Sequence, residues 1–286
     1  MKNQRSAFRN LLRTEDMVVL PGAYDVITAR LIERAGYQAA YMTGAGTAAI
    51  SGYPDYGLAT MSEMVQNASR ITGAIGIPLI SDADTGYGNE LNAIRTVREF
   101  ERAGVAGIHI EDQVFPKKCG HLDNKELIPF DDYLRKIRAA ADAKEDPDFL
   151  IIARTDSRAS LGFEEAVRRG NLALEHGADM VFLEAPQTME EVVSVPKLVK
   201  GPCLLNVVRG GKSPNVTFEQ ARQAGYKVAI VPGLLMTNVV ATCEILLEEM
   251  KQLGAHPKFA KEMTVRELFS RFGADDWDPL RERYSR

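Results

Sequence analysis

Basic charge, cysteine and long apolar runs are all scarce in this chain of 286 residues, and each scarcity removes a class of protein. Lysine and arginine together number 35 against 39 aspartates and glutamates, a formal charge of −4. The positive surface that general nucleic-acid binding requires is therefore missing. Three cysteines, a small and odd number, exclude a disulfide framework and fit a reducing compartment. The stretch from Met1 to Glu15 carries Lys2, Arg5, Arg9 and Arg13 but no long apolar segment. Neither a signal peptide nor a membrane span is expected there, which makes the cytoplasm the expected location. A phosphate loop and a dinucleotide fingerprint are also lacking, because Thr43-Gly-Ala-Gly-Thr-Ala has neither the glycine spacing nor the acidic ribose partner.

What is present is a regular alternation. Short apolar runs at Val18–Pro21, Ala39–Thr43, Pro78–Ser81, Gly107–Ile110, Phe149–Ala153, Met180–Leu183, Cys203–Val207 and Val228–Val231 read as eight strands. Helical spacing separates them, as in Leu91, Ile94, Val97, Phe100 and in Leu134, Ile137, Ala141. Polar groups follow seven of the eight runs, among them Thr43-Gly44-Ala45, Asp82-Ala83-Asp84, Glu111-Asp112, Arg154-Thr155-Asp156, Glu184 and Asn206. A (β/α)₈ barrel builds its active site at that end of every strand, whereas an open sheet gathers polar groups at one switch point. The expected fold is thus one α/β barrel domain over 1–286, with 255–286 as a helical extension. Gln4–Thr14 and the tail residues Phe259, Met263, Leu268, Phe269 and Trp277 have apolar faces that a closed barrel cannot take inside, so they should cover its surface or a neighbouring subunit.

Two constellations carry chemistry. Asp82 and Asp84, with Glu111 on the next strand, offer hard oxygen ligands suited to Mg²⁺; the plainer assignment makes Asp82 a turn cap, and Asn89 caps the next helix on either view. Lys117-Lys118-Cys119-Gly120-His121 sets a thiol among cations, which should lower its pKa or make it a ready proton donor. Gly120 lets this loop bend over the site as a lid. Arg154 can grip a carboxylate, or it can simply brace the barrel mouth against Glu184. His109, in mid-strand, reads as a satisfied core residue, and Cys203 and Cys243 as inert core thiols.

Taken together, Pro21-Gly-Ala-Tyr-Asp25, Tyr41-Met-Thr-Gly-Ala45, Pro54-Asp55, Asp82-Ala-Asp-Thr-Gly-Tyr-Gly88, Glu111-Asp-Gln113, Lys117-Lys-Cys-Gly-His121 and Ala153-Arg-Thr-Asp156 strongly resemble the isocitrate lyase/phosphoenolpyruvate mutase superfamily from about Phe8 to Leu253. The resemblance implies a barrel whose last helix is exchanged within a dimer, two dimers forming a homotetramer. It implies Mg²⁺, with Mn²⁺ as a substitute, held by Asp82 and partly through water by Asp55, Asp84 and Glu111. The Thr43-Gly44-Ala45 backbone and Arg154 would bind a 2-oxo acid, with Gly120, Glu184 and Asn206 also lining the substrate. Cys119 matches the lid cysteine that gives a proton to the departing carbon, and the motif around it disfavours the phosphonopyruvate branches.

Within the lyases, chain length and loop pattern resemble 2-methylisocitrate lyases, 2-alkylmalate lyases and carboxyphosphonoenolpyruvate mutases. Val208 stands where methylisocitrate lyases carry threonine, and their substrate arginine is missing near Thr237. Asn206-Val-Val-Arg-Gly-Gly-Lys-Ser-Pro214 is closer to the alkylmalate lyase and carboxyphosphonoenolpyruvate mutase loop. The expected reaction is retro-aldol cleavage of a 2-hydroxy dicarboxylate to pyruvate or a related 2-oxo acid. Lys117, His121 and Arg154 would offset the developing charge, Cys119 would act as acid, and Tyr41 or a water at the cation as base. The alternatives are phosphonomutase chemistry, oxaloacetate hydrolysis or decarboxylation, and a non-catalytic metabolite-binding relative. The partner is a small acid, with neither nucleic acid nor membrane involved.

Overall fold

A computed structural model describes residues 4–122, 124–258 and 262–285, so Phe259 of the expected tail stripe lies outside the described residues. Eight parallel strands close a barrel in sequence order. They are β1 (Val18–Ala23), β2 (Ala40–Met42), β3 (Leu79–Asp82), β4 (Gly107–Glu111), β5 (Leu150–Thr155), β6 (Met180–Leu183), β7 (Cys203–Asn206) and β8 (Val228–Val231). All eight apolar runs form strands. Several strands run on into the polar residues that were expected to follow them, because ladder hydrogen bonds come from the backbone and are indifferent to side-chain polarity. Asp82 therefore pairs with His109 across β3 and β4, and Glu111 with Arg154 across β4 and β5. That register alone sets an acid beside the guanidinium.

The helices follow from caps and apolar stripes. Asn89 accepts from the backbone N–H groups of Leu91 and Asn92 and starts α5 (Glu90–Arg102), which buries Ala93, Val97 and Phe100. Helix α6 (Phe130–Asp142) begins after Pro129 and buries Tyr133, Leu134, Ile137 and Ala140. Thr43 caps the short α3 (Gly44–Ile50) by accepting from Gly46 N–H. No helix among the described residues is long and apolar enough to cross a membrane.

The inward side chains Leu20, Tyr41, Ile80, Ile152, Phe182, Leu204 and Ile230 make one core cluster. Phe8 from α1 (Gln4–Thr14) is fully buried in that same cluster. This corrects the expectation that α1 could only lie on the outside, since the floor of the barrel still has room for one ring. Arg5 and Arg9 fasten the helix by ion pairs to Asp146 at 3.0 Å and Asp179 at 2.8 Å.

The chain divides into two compact units, 1–234 and 235–286, so the expected extension 255–286 lies within the second. The second unit contains most of α11 (Leu234–Leu253) together with α12 (Val265–Ser270) and α13 (Ala274–Tyr284). None of these helices buries a residue. Cys243, expected in a core, is exposed on α11 for that reason, whereas Cys203 is buried as expected.

Phe8→Ala should lower unfolding free energy by about 3–5 kcal/mol, the usual loss for a buried phenylalanine. Urea titration followed by circular dichroism measures it. A loss below about 1 kcal/mol is what a surface-lying helix would give.

Candidate active site

The polar strand ends meet in one buried cluster over the C-terminal mouth of the barrel. Arg154 at the end of β5 is its hub. The guanidinium lies 3.1 Å from Glu111 Oε2 through Nη1, donates through Nε to Asp156 Oδ2 at 2.9 Å, and is 3.9 Å from Glu184 Oε2. It also lies over the Phe182 ring, 5.1 Å from the centroid. Glu184 in turn accepts from Asn206 Nδ2 at 3.2 Å and pairs with His121 Nε2 at 3.1 Å.

Asp82 closes β3, and its carboxylate accepts from Asp84 N–H at 2.9 Å and from Gly44 N–H at 3.3 Å. A side chain at 44 would collide with that carboxylate, so the first helical residue after Thr43 has to be glycine. Tyr41 O–H lies 3.5 Å from Asp82 and 2.8 Å from His109 Nε2. His109 Nδ1 is 3.6 Å from Asp82 Oδ1 and has no well-aligned hydrogen bond. This histidine is therefore only half satisfied in the core. Burial pushes it down to about 4, so it is neutral at pH 7.

Burial opposes ionisation of Asp82, but His109, Lys117, Arg154 and the Asp84 N–H outweigh it and hold the carboxyl near 2. Asp84 has a left-handed backbone, φ 47°, a strained conformation for a residue with a side chain. The strain is held by Lys136, which donates to the Thr85 carbonyl at 2.8 Å, and by Glu111 N–H, which donates to the Asp84 carbonyl at 2.9 Å.

The segment after β4 folds over this cluster. Its stem is pinned by the bridge between Gln113 and Leu127 and by Ile128 N–H to Asp112 O at 2.9 Å. Lys117 is buried, with its ammonium between Asp55 and Asp84, 2.8 Å from the latter. Gly120 packs so tightly on Arg154 and Glu184 that a Cβ would lie 2.6 Å from each. His121 Nδ1 accepts from Lys212 N–H at 3.1 Å, which leaves the ring proton on Nε2, facing Glu184. These contacts hold the segment down over the site.

That seating corrects one expectation. The Cys119 thiol pKa is raised, not lowered. Burial is the largest cause, and Asp55 and Glu184 add to it against Arg154 and a backbone hydrogen bond. The neighbouring polar groups have gone to other partners, the Lys117 ammonium to Asp55 and Asp84, and the His121 Nε2–H to Glu184. Burial and then Asp82 raise the Tyr41 phenol well above 10, and its hydroxyl bridges His109 and Asp82.

A divalent cation fits the acids. Neither oxygen of Glu111 accepts a well-aligned hydrogen bond, and burial raises its pKa well above the usual range despite Arg154. Asp84 is also pushed up, to about 6, by burial despite Lys117. Buried carboxyls in that state lack positive charge. No group of three or more His, Cys, Asp or Glu side chains is arranged to hold a metal directly among the described residues. Mg²⁺ needs no such group, since it keeps several waters and takes one or two carboxylates. Asp82 would hold it, with Asp55, Asp84 and Glu111 acting through water.

Lys125 and Lys136 carry no signal in the sequence, and Asp112 and Asp156 stand there only as polar groups at strand ends. Asp112, adjacent to Glu111 in sequence, faces away from it and is structural, accepting from Thr155 Oγ1 at 2.6 Å, Asp156 N–H at 2.8 Å and Arg169 at 2.9 Å. Asp156 was detectable, since residues two apart on a strand share a face and Arg154 therefore has an acid beside it. Lys125 lies in an irregular loop and left no such signal.

In a Cys243→Ser background, iodoacetamide alkylation of Cys119 should keep accelerating above pH 9, because the thiolate is the reacting form. Mass spectrometry of the modified peptide follows the rate. A plateau below pH 8 would restore the lowered pKa.

Residues 8–251 match the phosphoenolpyruvate phosphomutase family. A 2,3-dimethylmalate lyase of Eubacterium barkeri is 47% identical over 231 residues, 80% of this chain and 80% of the relative. A 2-methylisocitrate lyase of Aeropyrum pernix is 43% identical over 271 residues, 94% of this chain and 87% of the relative. A crystal structure of a 2,3-dimethylmalate lyase superposes with a TM-score of 0.93 at 40% identity, covering 98% of this chain and 95% of that one. With its barrel, its clustered acids and its cysteine lid, the chain belongs to the phosphoenolpyruvate mutase/isocitrate lyase superfamily and is an enzyme of the oxo-acid lyase family.

Proposed function

We propose that this enzyme cleaves a 2-hydroxy dicarboxylate of the 2-alkylmalate type to pyruvate, or a related 2-oxo acid, and a simple carboxylate. The observation that carries the reading is Cys119, a thiol kept protonated by burial on a lid seated against Arg154. A protonated thiol is a proton donor, which is what the departing carbon requires. The similarity to a 2,3-dimethylmalate lyase, and Val208 in place of a threonine, favour an alkyl substituent over a third carboxylate.

Arg154 and the Thr43–Ala45 backbone would take the carboxylate beside the hydroxyl. The cation held by Asp82 would supply Lewis-acid polarisation of that hydroxyl and carboxylate. The hydroxyl gives its proton to a water in the site, which carries it to solvent, and its oxygen becomes the carbonyl of the 2-oxo acid. The bond between C2 and C3 breaks, and its electron pair passes into C3 and its carboxylate. Arg154 and the lid cations oppose that charge, Cys119 delivers its proton to C3, and the thiolate regains one from solvent. Closure excludes water from the carbanionic intermediate.

Pyruvate release from a panel of malate analogues with Mg²⁺, beside oxaloacetate and phosphonate substrates, tests the reading. Cleavage should be fastest with a 2-alkylmalate, abolished by Asp82→Ala, and reduced roughly 10²–10⁴-fold by Cys119→Ser, the usual range for general acid catalysis. Turnover of only the phosphonate, or oxalate formation from oxaloacetate alone, would replace this reaction with the corresponding one.

The same reading extends to assembly. Helix α11 exposes Val239, Val240, Ile245, Leu247, Met250 and Leu253, and the helices after it expose Val265, Phe269, Trp277 and Leu280. A soluble monomer rarely leaves that much apolar surface bare. A second copy covering it by helix exchange, with dimers pairing into a homotetramer, accounts for the composition of these helices. Sedimentation equilibrium should give a tetramer near four times 31.5 kDa. A stable monomer at micromolar concentration would contradict it.

A further inference from the structure

Lys125 is buried, with a side chain only 1% exposed, and no part of the proposed chemistry uses it. Its ammonium donates to the Gly120 carbonyl and to Asp156 Oδ1, the latter at 2.7 Å. Asp156 is the same carboxylate that receives Arg154, through Nε on Oδ2 at 2.9 Å and Nη2 on Oδ1 at 3.3 Å. The main chain of Asp156 is fixed by Asp112, so its carboxylate has little freedom to follow either cation.

Lys125 lies on the return arm of the lid, and Gly120 at its tip, next to Cys119. One ammonium therefore folds the tip onto the arm and docks both on the carboxylate that orients the guanidinium. We infer that Lys125 is a positioning residue that couples lid closure to the setting of Arg154, so that the proton donor and the anion grip are placed in one event. With the lid lifted, Asp156 loses Lys125, keeps Arg154, and competes with an incoming carboxylate for it. With the lid down, Lys125 shares Asp156 with Arg154, whose Nε and Nη2 stay on that carboxylate, and so fixes the plane in which the guanidinium meets the substrate.

A simple structural brace would not link these two ends. A brace would change melting temperature when removed, but it would not make protection of Cys119 depend on a ligand bound at Arg154. The inference rests on the proposed roles of Arg154 and Cys119, and the experiment separates the two failures.

The probe is oxalate, a planar dianion with the shape of a 2-oxo acid, added with Mg²⁺ to the Cys243→Ser enzyme. Alkylation of Cys119 by iodoacetamide is timed with and without it, and kcat and KM are measured on the best malate analogue. Oxalate should slow alkylation of the parent at least about tenfold through closure. In Lys125→Met that protection should disappear, with kcat/KM down about 10- to 100-fold, the range for a charge-assisted hydrogen bond. Lys125→Arg, which keeps the charge, should recover part of both.

Parent-like protection in Lys125→Met, whatever its melting temperature, overturns the coupling. If Lys125→Met does not fold, Lys125→Gln, which keeps a donor for Gly120 but no charge for Asp156, decides in its place by the same criterion. A parent that oxalate does not protect fails the reading of Arg154 and Cys119, and the coupling falls with it.

Discussion

The structure of the site depends on charge compensation around one buried guanidinium. Arg154 lies among Glu111, Asp156 and Glu184, three carboxylates from the ends of three neighbouring strands. Taking such groups out of water costs several kcal/mol per ion, so the cluster persists only because its members answer one another. Removing any one leaves a partner uncompensated. The strand register supplies the first pairing, Glu111 beside Arg154, without any side-chain choice.

The lid follows from the same constraint. It brings the Lys117 and Lys125 ammoniums into a pit lined by acids, where each finds a carboxylate, and sets His121 Nε2 on Glu184. The covering segment thus supplies neutralising charge as well as cover. One consequence is chemical. Cations spent on carboxylates cannot lower the thiol pKa, and Cys119 stays protonated at neutral pH. An acid is better served by that state than a nucleophile would be. Charge is still short at Glu111 and Asp84, which is where a divalent cation fits.

The two ends of the barrel show why burial was read with unequal success. At the floor, Phe8 enters the core and contributes packing alone. At the mouth, Tyr41, His109 and Asp82 form a polar column at the top of the same interior, where burial raises the Tyr41 phenol and lowers His109 while neighbouring charges hold Asp82 down against it.

The sequence by itself determined the barrel, the eight strands and the end of it that carries function, because period and polarity at strand ends are local properties of the chain. It also supplied the candidate residues, since Asp82, Glu111, Cys119 and Arg154 stand in recognisable motifs. Only the tertiary structure decided their states and alliances. Whether Cys119 is lowered or raised depends on which carboxylates Lys117 and His121 reach, and Asp55 is 62 positions from Lys117. Lys125 could not be read at all, because a lysine in a polar loop looks solvated until the fold brings it to an aspartate 31 positions away. Electrostatics in a buried site is set by distances through space, and sequence spacing carries no record of them.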